Sequence, residues 1–554
     1  MKTIFRRGKL LLLLLWLCSY MACQKNQIRV NTTDDVNIVG YLNNHAADYS
    51  LFSRIIERAE ASGYLNAYGA YTLFAPTNTA VKTYLSKQGK TSVDDIGVDA
   101  LKDLLRFHLI ADTLTTSSFT DGKLPAITQY GQYLITSVAT TDGKSSYLIN
   151  RQAIVTKANI VTGNGIIHAI DHVLEPAQST LAQLLSQDSR YSIFTQALKE
   201  TGYYDSLNIA NNSDSTRRWL TLIAQTDAVY RANNIADYPA LKALYSQTGN
   251  PKLAEDSLHL YVAYHILPGI RFLADIVSAT SHSTLAPQEV VTSKLSGQEV
   301  LLNEDIFNGI TEPGVQLDRT NSDITANNGA LHSALSNLSI KVRKPVPVYW
   351  DVADQPELRK LVSLFRKPGQ VQEFTDPDQF SGINWSGGSI KYNVTATSSS
   401  DYYCYYDFIS LYMRTAVTPW IEFKTPFLVK GKYKVWVCFR RARAQTIQVQ
   451  VDDQIMPRLI SVADYYPVAL DDDNAEAAGF KRFMVTAASN SNHIGKLVGT
   501  VDITTSQQHT IKFIALTNES GSANTFNLDM VHFIPIEEEQ KWPRFNRDGS
   551  MEYK

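Results

Sequence analysis

One pattern, written twice at a wide interval, constrains this chain more than any other feature. Asn164-Gly165-Ile166-Ile167-His168-Ala169-Ile170-Asp171-His172-Val173-Leu174-Glu175-Pro176 returns as Asn328-Gly329-Ala330-Leu331-His332-Ser333-Ala334-Leu335-Ser336-Asn337-Leu338, with turn, apolar run and histidine in the same order. An Asn-Gly turn, an apolar run and a closing Glu-Pro predict a strand that is entered tightly and stopped by a residue unable to donate to a ladder. A second copy makes the pattern a statement about fold before it is one about chemistry.

Other segments repeat in step. Leu51, Phe52, Ile55, Ile56 and Ala59 recur at helical spacing and stop at Ser62-Gly63-Tyr64, where Gly63 is expected as a left-handed C-cap. Ile193, Phe194, Ala197 and Leu198 do the same and stop at Gly202. Thr72-Leu73-Phe74-Ala75-Pro76-Thr77-Asn78 pairs with Thr221-Leu222-Ile223-Ala224-Gln225-Thr226-Asp227, a strand running into a helix cap, and Phe107-His108 pairs with Tyr264-His265. The offset between copies grows along the repeat, so the insertions fall in loops of the second copy, at Tyr230 to Ser257 and after His265. This ordered set resembles a fasciclin (FAS1) domain present twice, over 36–176 and 178–343. The second copy departs from the pattern, with Gln225 for Pro76 and Leu335 for Asp171. The resemblance implies an α+β fold for each copy and a role in adhesion or ligand contact rather than catalysis. It also marks Tyr264 and His265 as partner-contact candidates, against core packing as the plainer reading.

After Arg343 the texture changes. Residues 344–370 open with Lys344-Pro345-Val346-Pro347-Val348 and read as a stiff linker. Over 371–536 alternation replaces helical periodicity. Tyr433, Val435, Val437 and Phe439 share one face of a strand, and Lys432, Lys434, Trp436, Cys438 and Arg440 share the other. Short strands at such spacing predict an all-β sandwich. The runs Gly431 to Val437, Ile447 to Asp452 and Asn527 to Val531 resemble the galactose-binding-like jelly roll of carbohydrate-binding modules. The fold class is therefore multidomain: two α+β fasciclin-like domains followed by an all-β jelly-roll sandwich, with a charged tail at 537–554 expected to leave the last domain.

A chain of 554 residues exceeds one hydrophobic core, and with 44% apolar and 19% charged residues it has an ordinary globular composition. A formal net charge of −2 without a long basic block gives no footprint for nucleic acid. At the N-terminus, Lys2, Arg6, Arg7 and Lys9 precede the apolar run Leu10 to Leu17, the design of an export signal over 1–22. Tyr20-Met21-Ala22-Cys23 resembles a bacterial lipobox, which implies lipidation of Cys23, a tether at 23–35 and residence at the outer membrane on either face. The alternative is plain secretion.

The chemistry-bearing residues are few. His168, Asp171 and His172 would suit a metal on a helix. On a strand, His168 and Asp171 point to opposite faces, so His168 and His332 are expected to be structural. There is no G-x-S-x-G elbow, phosphate loop or H-E-x-x-H, and Asp471-Asp472-Asp473 reads as a solvated turn, so neither an enzyme nor a cofactor is expected. Cys404 and Cys438 are open to a disulfide or to two buried thiols. Aromatic rings suit the C–H faces of sugars. Trp385 in a glycine-rich loop, with Tyr402, Tyr403, Trp436 and Arg440, is therefore the candidate glycan set, weighed against burial in the core. By resemblance to carbohydrate-binding modules, Asp529 with Glu373 is a calcium alternative. The expected function is a non-catalytic, lipid-anchored envelope protein with a glycan or protein partner. The second expectation is a structural subunit docking to an outer-membrane uptake complex through its fasciclin pair.

Overall fold

The computed structural model describes residues 36–66, 69–141, 144–307, 310–443, 445–519 and 525–554. The export signal, Cys23 and the tether lie outside these residues. The chain divides into two compact units, one ending at Ser179 and the other running from Thr180. Among the described residues no helix is long and apolar enough to cross a membrane.

In the first unit, Tyr71–Pro76 lies parallel to Gly165–Ile170, with Phe74 opposite His168. Around this pair a seven-stranded sheet is completed by Leu109–Ile110 on one side and by Ala153–Thr162, Lys144–Ile149, Ile135–Thr141 and Gly122–Lys123 on the other. Both central strands are buried on both faces, as parallel neighbours should be. Helices Ile38–Asn44, Ala46–Arg58, Asn78–Lys87 and Val98–Phe107 bury Leu42, Phe52, Ile55, Val81 and Leu105 against Leu73 and Ile167. A second core collects Phe74, Phe107, Phe119, Leu134 and Ile170. Thr77 caps its helix as expected, its hydroxyl accepting from the Ala80 N–H at 3.3 Å. The C-cap expectation at Gly63 is corrected. Glu60 takes the left-handed conformation, φ 57°, and Gly63 sits inside the next helix, Ser62–Asn66.

The second unit opens with the same topology. Leu220–Gln225 runs parallel to Gly329–Ala334 with Ile223 opposite His332, within an eight-stranded sheet. Here the helix Ser192–Thr201 does end on a left-handed glycine, Gly202, φ 84°.

The remainder is a sheet-rich region in which two large sheets enclose a main core, with a two-stranded sheet and a smaller buried cluster beside them. An eight-stranded sheet is centred on Phe526–Pro535 and Gly431–Arg440, and a six-stranded one on Trp420–Leu428 and Gln507–Ala515. Tyr433, Val435, Val437 and Phe439 enter the shared core with Ile421, Phe423 and Phe513. Two expectations at its borders are corrected. Within 344–370, Val348–Asp351 is a strand antiparallel to Phe526–Pro535, and Trp350, Val352 and Leu358 are core residues. Within 537–554, Gln540 and Phe545 are buried, and Arg544–Phe545 pairs with Met551–Glu552. That segment covers the reverse face of Gly431–Arg440, where Trp436 and Cys438 lie.

Candidate functional site

The repeated Asn-Gly-x-x-His segment is built identically in both copies. The Asn164 carboxamide accepts from the Ile38 N–H (2.9 Å) and donates to the Leu65 carbonyl (2.6 Å). Asn328 accepts from the Leu181 N–H (2.9 Å) and donates to the Leu207 carbonyl (2.8 Å). Each asparagine thus pins the closing turn to the first helix of its domain. His168 Nε2 donates to the Leu114 carbonyl at 2.9 Å, and Nδ1 accepts from the Asn159 N–H at 3.4 Å. His332 donates to the Arg271 carbonyl at 2.8 Å and accepts from the Asp323 N–H at 3.3 Å. Asn159 and Asp323 both stand at φ 57°, and their side chains accept from the backbone of Thr116 and Leu273. This partner of the histidine escaped the sequence reading, and its signal was an Asx residue repeated nine positions before each histidine. Asp171 turns to the Ile154 N–H (2.7 Å) and His172 (2.9 Å), away from the His168 partners. Asn164→Ala would strand a buried donor and a buried acceptor, and we expect a loss of about 2–4 kcal/mol in urea unfolding of the first unit.

The other histidine pair explains the altered second copy. His108 Nε2 accepts from the Leu174 N–H at 3.0 Å, so the neutral ring carries its proton on Nδ1, which donates to the Leu104 carbonyl at 2.8 Å. In the second copy, Gln225, standing where Pro76 stands in the first, donates its amide to His265 Nε2 at 2.7 Å and to the Tyr261 hydroxyl at 2.8 Å. Burial pushes both imidazoles down to about 4. Tyr264, a partner-contact candidate with His265, is corrected to a core residue. Its hydroxyl accepts from the Asn303 amide (2.8 Å) and donates to the Val290 carbonyl (3.0 Å), and His265 is fully buried.

The proposed glycan set does not converge on a surface. Trp385, Tyr403 and Trp436 are 3%, 1% and 0% exposed. Trp385 faces the sandwich core, and Trp436 donates its indole N–H to Gln540 at 3.0 Å beneath residues 537–554. Tyr402 is half-buried with its ring edge-on to His493, and Arg440 pairs with Asp401 at 2.7 Å. Cys404 and Cys438 are two free, buried thiols, each pushed up by burial. The calcium alternative is corrected on the same grounds. Glu373 lies on an exposed edge strand bonded to Ser389 and Lys391, whereas Asp529 is fully buried, accepts from the Cys404 N–H at 3.2 Å and has its carboxyl pushed well up by burial. Near it Asp351 and Asp407 share Arg366, whose guanidinium is 2.9 Å from Asp351, 3.7 Å from Asp407 and 3.6 Å above the Tyr405 ring. Burial raises both carboxyls, Asp407 to about 7.

A concave feature lies elsewhere in the second unit, where the domain that opens this unit meets the sandwich. The junction is built. Glu289 pairs with Lys430, and Ser281 bonds Gln507. Arg343, ion-paired with Glu312, lies between the rings of Phe307 and Phe427 at 5.3 and 5.0 Å. Beside it opens a cleft of about 560 Å³, within the usual range of small-molecule sites. One wall carries Thr280, Thr292 and Leu301, the other Trp350, Gln355 and Gln508. Its charges are largely matched, since Lys294 pairs with Glu304 and Arg359 with Asp354 (2.6 Å). Sequence reasoning missed this site because half of one wall lies in the stretch taken as linker. The visible signal was Pro426 inside the strand Trp420–Leu428, which marks a bulge.

Residues 47–176 match the fasciclin domain family. The chain is 28% identical over 139 residues to human periostin, covering 24% of this chain and 15% of that protein. It is 22% identical over 301 residues to the Sus scrofa transforming growth factor-beta-induced protein ig-h3, covering 54% and 39%. Protein sll1483 of Synechocystis sp. is 28% identical over 134 residues, covering 24% and 71%. The chain therefore spans well under half the length of periostin and ig-h3. Among solved structures, a FAS1 domain pair from the insect cell adhesion molecule Fasciclin I is similar over 54% of this chain and 96% of its own, with 17% identity and a TM-score of 0.25. A family 35 carbohydrate binding module from Clostridium thermocellum covers 34% and 98%, with 10% identity and a TM-score of 0.17.

Proposed function

We propose that the fasciclin domain at 47–176 belongs to an exported, non-catalytic adhesion and binding scaffold, lipid-anchored through Cys23 at the outer membrane and recognising cell-surface glycan through its C-terminal half. The observation that carries this reading is the cleft at the domain junction, roomy, with hydroxyl and amide groups set among apolar side chains, and with Lys294 and Arg359 already paired to carboxylates. Such a lining suits a polyhydroxylated ligand held by many modest hydrogen bonds. The histidines support the same reading. His108, His168, His265 and His332 each have both ring nitrogens engaged inside the fold, so none is placed to act on a bound substrate. The jelly-roll reading of the sandwich rests on its two sheets and common core.

Glycan-array binding by the whole purified chain is the test. We expect retention of carbohydrate without its cleavage. Silence on the array, with a membrane protein co-purifying, would replace this reading by docking to an uptake complex. For the anchor, Cys23→Ser is expected to move the protein from the membrane to the soluble fraction of the envelope, and undiminished membrane retention of that variant would overturn lipidation.

A further inference from the structure

Beside the junction cleft lies a second depression of about 290 Å³, bounded by Pro377, Phe380, Asn384 and Glu422. The two share Lys424. They also approach through Gln355, which lines the larger one and whose Oε1 crowds the position a Cβ would occupy on Gly382 in the smaller. The result is an elongated groove rather than a single pocket. Its middle is shaped by the bulge in Trp420–Leu428, where the register slips between Lys424, opposite Thr510, and Phe427, opposite Gln508. Thr425 fills the bulge, its hydroxyl donating to the Pro426 carbonyl (2.7 Å) and accepting from the His509 N–H (3.0 Å). A bulge of this kind re-aims the side chains beside it.

Charge separates the members of the groove. Lys294 and Arg359 are neutralised by Glu304 and Asp354, Glu422 reaches Lys512 at 3.7 Å, Asp305 lies 3.9 Å from Arg343, and Asp378 in the smaller depression is exposed. Lys424 is exposed and, among the described residues, has no ion pair, although it stands where the two depressions meet. We propose that this groove binds a linear oligosaccharide bearing a carboxylate, a uronate-containing chain, with the uronate group on Lys424. Hydroxyls of the flanking sugars would meet Thr292, Gln355 and Gln508, and their C–H faces would lie on Leu301, Ile306 and Pro426. This rests on the glycan-binding reading above and adds to it the site and the charge of the sugar. An ammonium on a flexible stem suits a carboxylate as a point charge, and its contribution should weaken with salt.

The test titrates the full chain with tetragalacturonate, with the neutral cellotetraose, and with the uronate-bearing oligosaccharides retained on an array. We expect the uronate chains to bind at least about tenfold more tightly than neutral chains of equal length. Lys424→Gln should remove that advantage, Lys424→Arg should keep most of it, and raised salt should weaken only the uronate arm. Equal affinity for neutral and acidic chains, or undiminished uronate binding by Lys424→Gln, would overturn the inference while leaving glycan binding standing. Capture of an acidic peptide such as poly-glutamate without any sugar would overturn both, as would no carbohydrate binding at all.

Discussion

Gly165→Ala is expected to cost the first domain of order 4 kcal/mol or more, enough to remove most of its stability. The reason is distance and not conformational freedom. A Cβ on Gly165 would collide with the carbonyl oxygen of Tyr71, a backbone atom of the parallel neighbour that cannot step aside without opening the ladder. Gly329 faces the Leu220 carbonyl in the same way, so Gly329→Ala should do equal harm in the second unit. Gly202→Ala is the control. That glycine has φ 84° and open space around it, so only the left-handed conformation is penalised, by about 1 kcal/mol. Urea unfolding of the three variants in the full chain measures the difference. A Gly165→Ala loss no larger than that of Gly202→Ala would contradict the close approach.

The second large effect is opposite pH dependence in different parts of one chain. His108 is neutral when folded, with a pKa of about 4 against 6.5 for the free side chain. A depressed histidine contributes stability that is complete above pH 6.5 and is lost as pH falls toward 4, because the unfolded chain binds the proton first. The loss reaches about 3 kcal/mol. His265 adds a loss of the same sign in the second unit. The buried carboxyls of the sandwich run the other way. Asp407 is raised to about 7, and Asp351 and Asp529 are raised by burial, so their contribution is complete below about pH 4 and is lost as pH rises through 7. Urea midpoints should therefore rise for the first unit between pH 5 and 6.5, and for the sandwich, where burial also depresses His493 and His532, they should fall between pH 6.5 and 8. His108→Gln should flatten the first trend and Asp407→Asn should weaken the second. Parallel trends in both would show that these groups are not the ones titrating.

Much of this was legible in the residues. The Asn-Gly-x-x-His repeat predicted strand, turn and a structural histidine, and the structure adds the reason for each letter: asparagine for the first helix, glycine for the neighbouring carbonyl, histidine for an Asx residue across the sheet. Gln225 looked like decay of the pattern, yet it supplies the hydrogen bond that the Leu174 N–H supplies in the first copy. What could not be read was which distant segment covers which face. Alternation in Gly431–Arg440 showed two faces but not that residues 537–554 would close the second over Trp436 and Cys438. Prolines around Val346 suggested a linker, and periodicity is silent on a four-residue strand whose pairing partner lies far along the chain. The groove was missed for the same reason, since its walls come from two domains and its one local signal was a proline in a strand.

That short strand also matters mechanically. Val348–Asp351 is where the chain leaving the second domain enters the sandwich, and it lies antiparallel along Phe526–Pro535 rather than hanging from its end. A pull transmitted through the preceding segment acts along the strand, so the rungs between Val348 and Asp351 are loaded in shear and share the force instead of parting one at a time. With Arg343 wedged between Phe307 and Phe427 and Glu289 tied to Lys430, the same pull must strain the junction before it reaches the strand. The second domain and the sandwich are therefore joined by side-chain contacts as well as by the chain that runs between them.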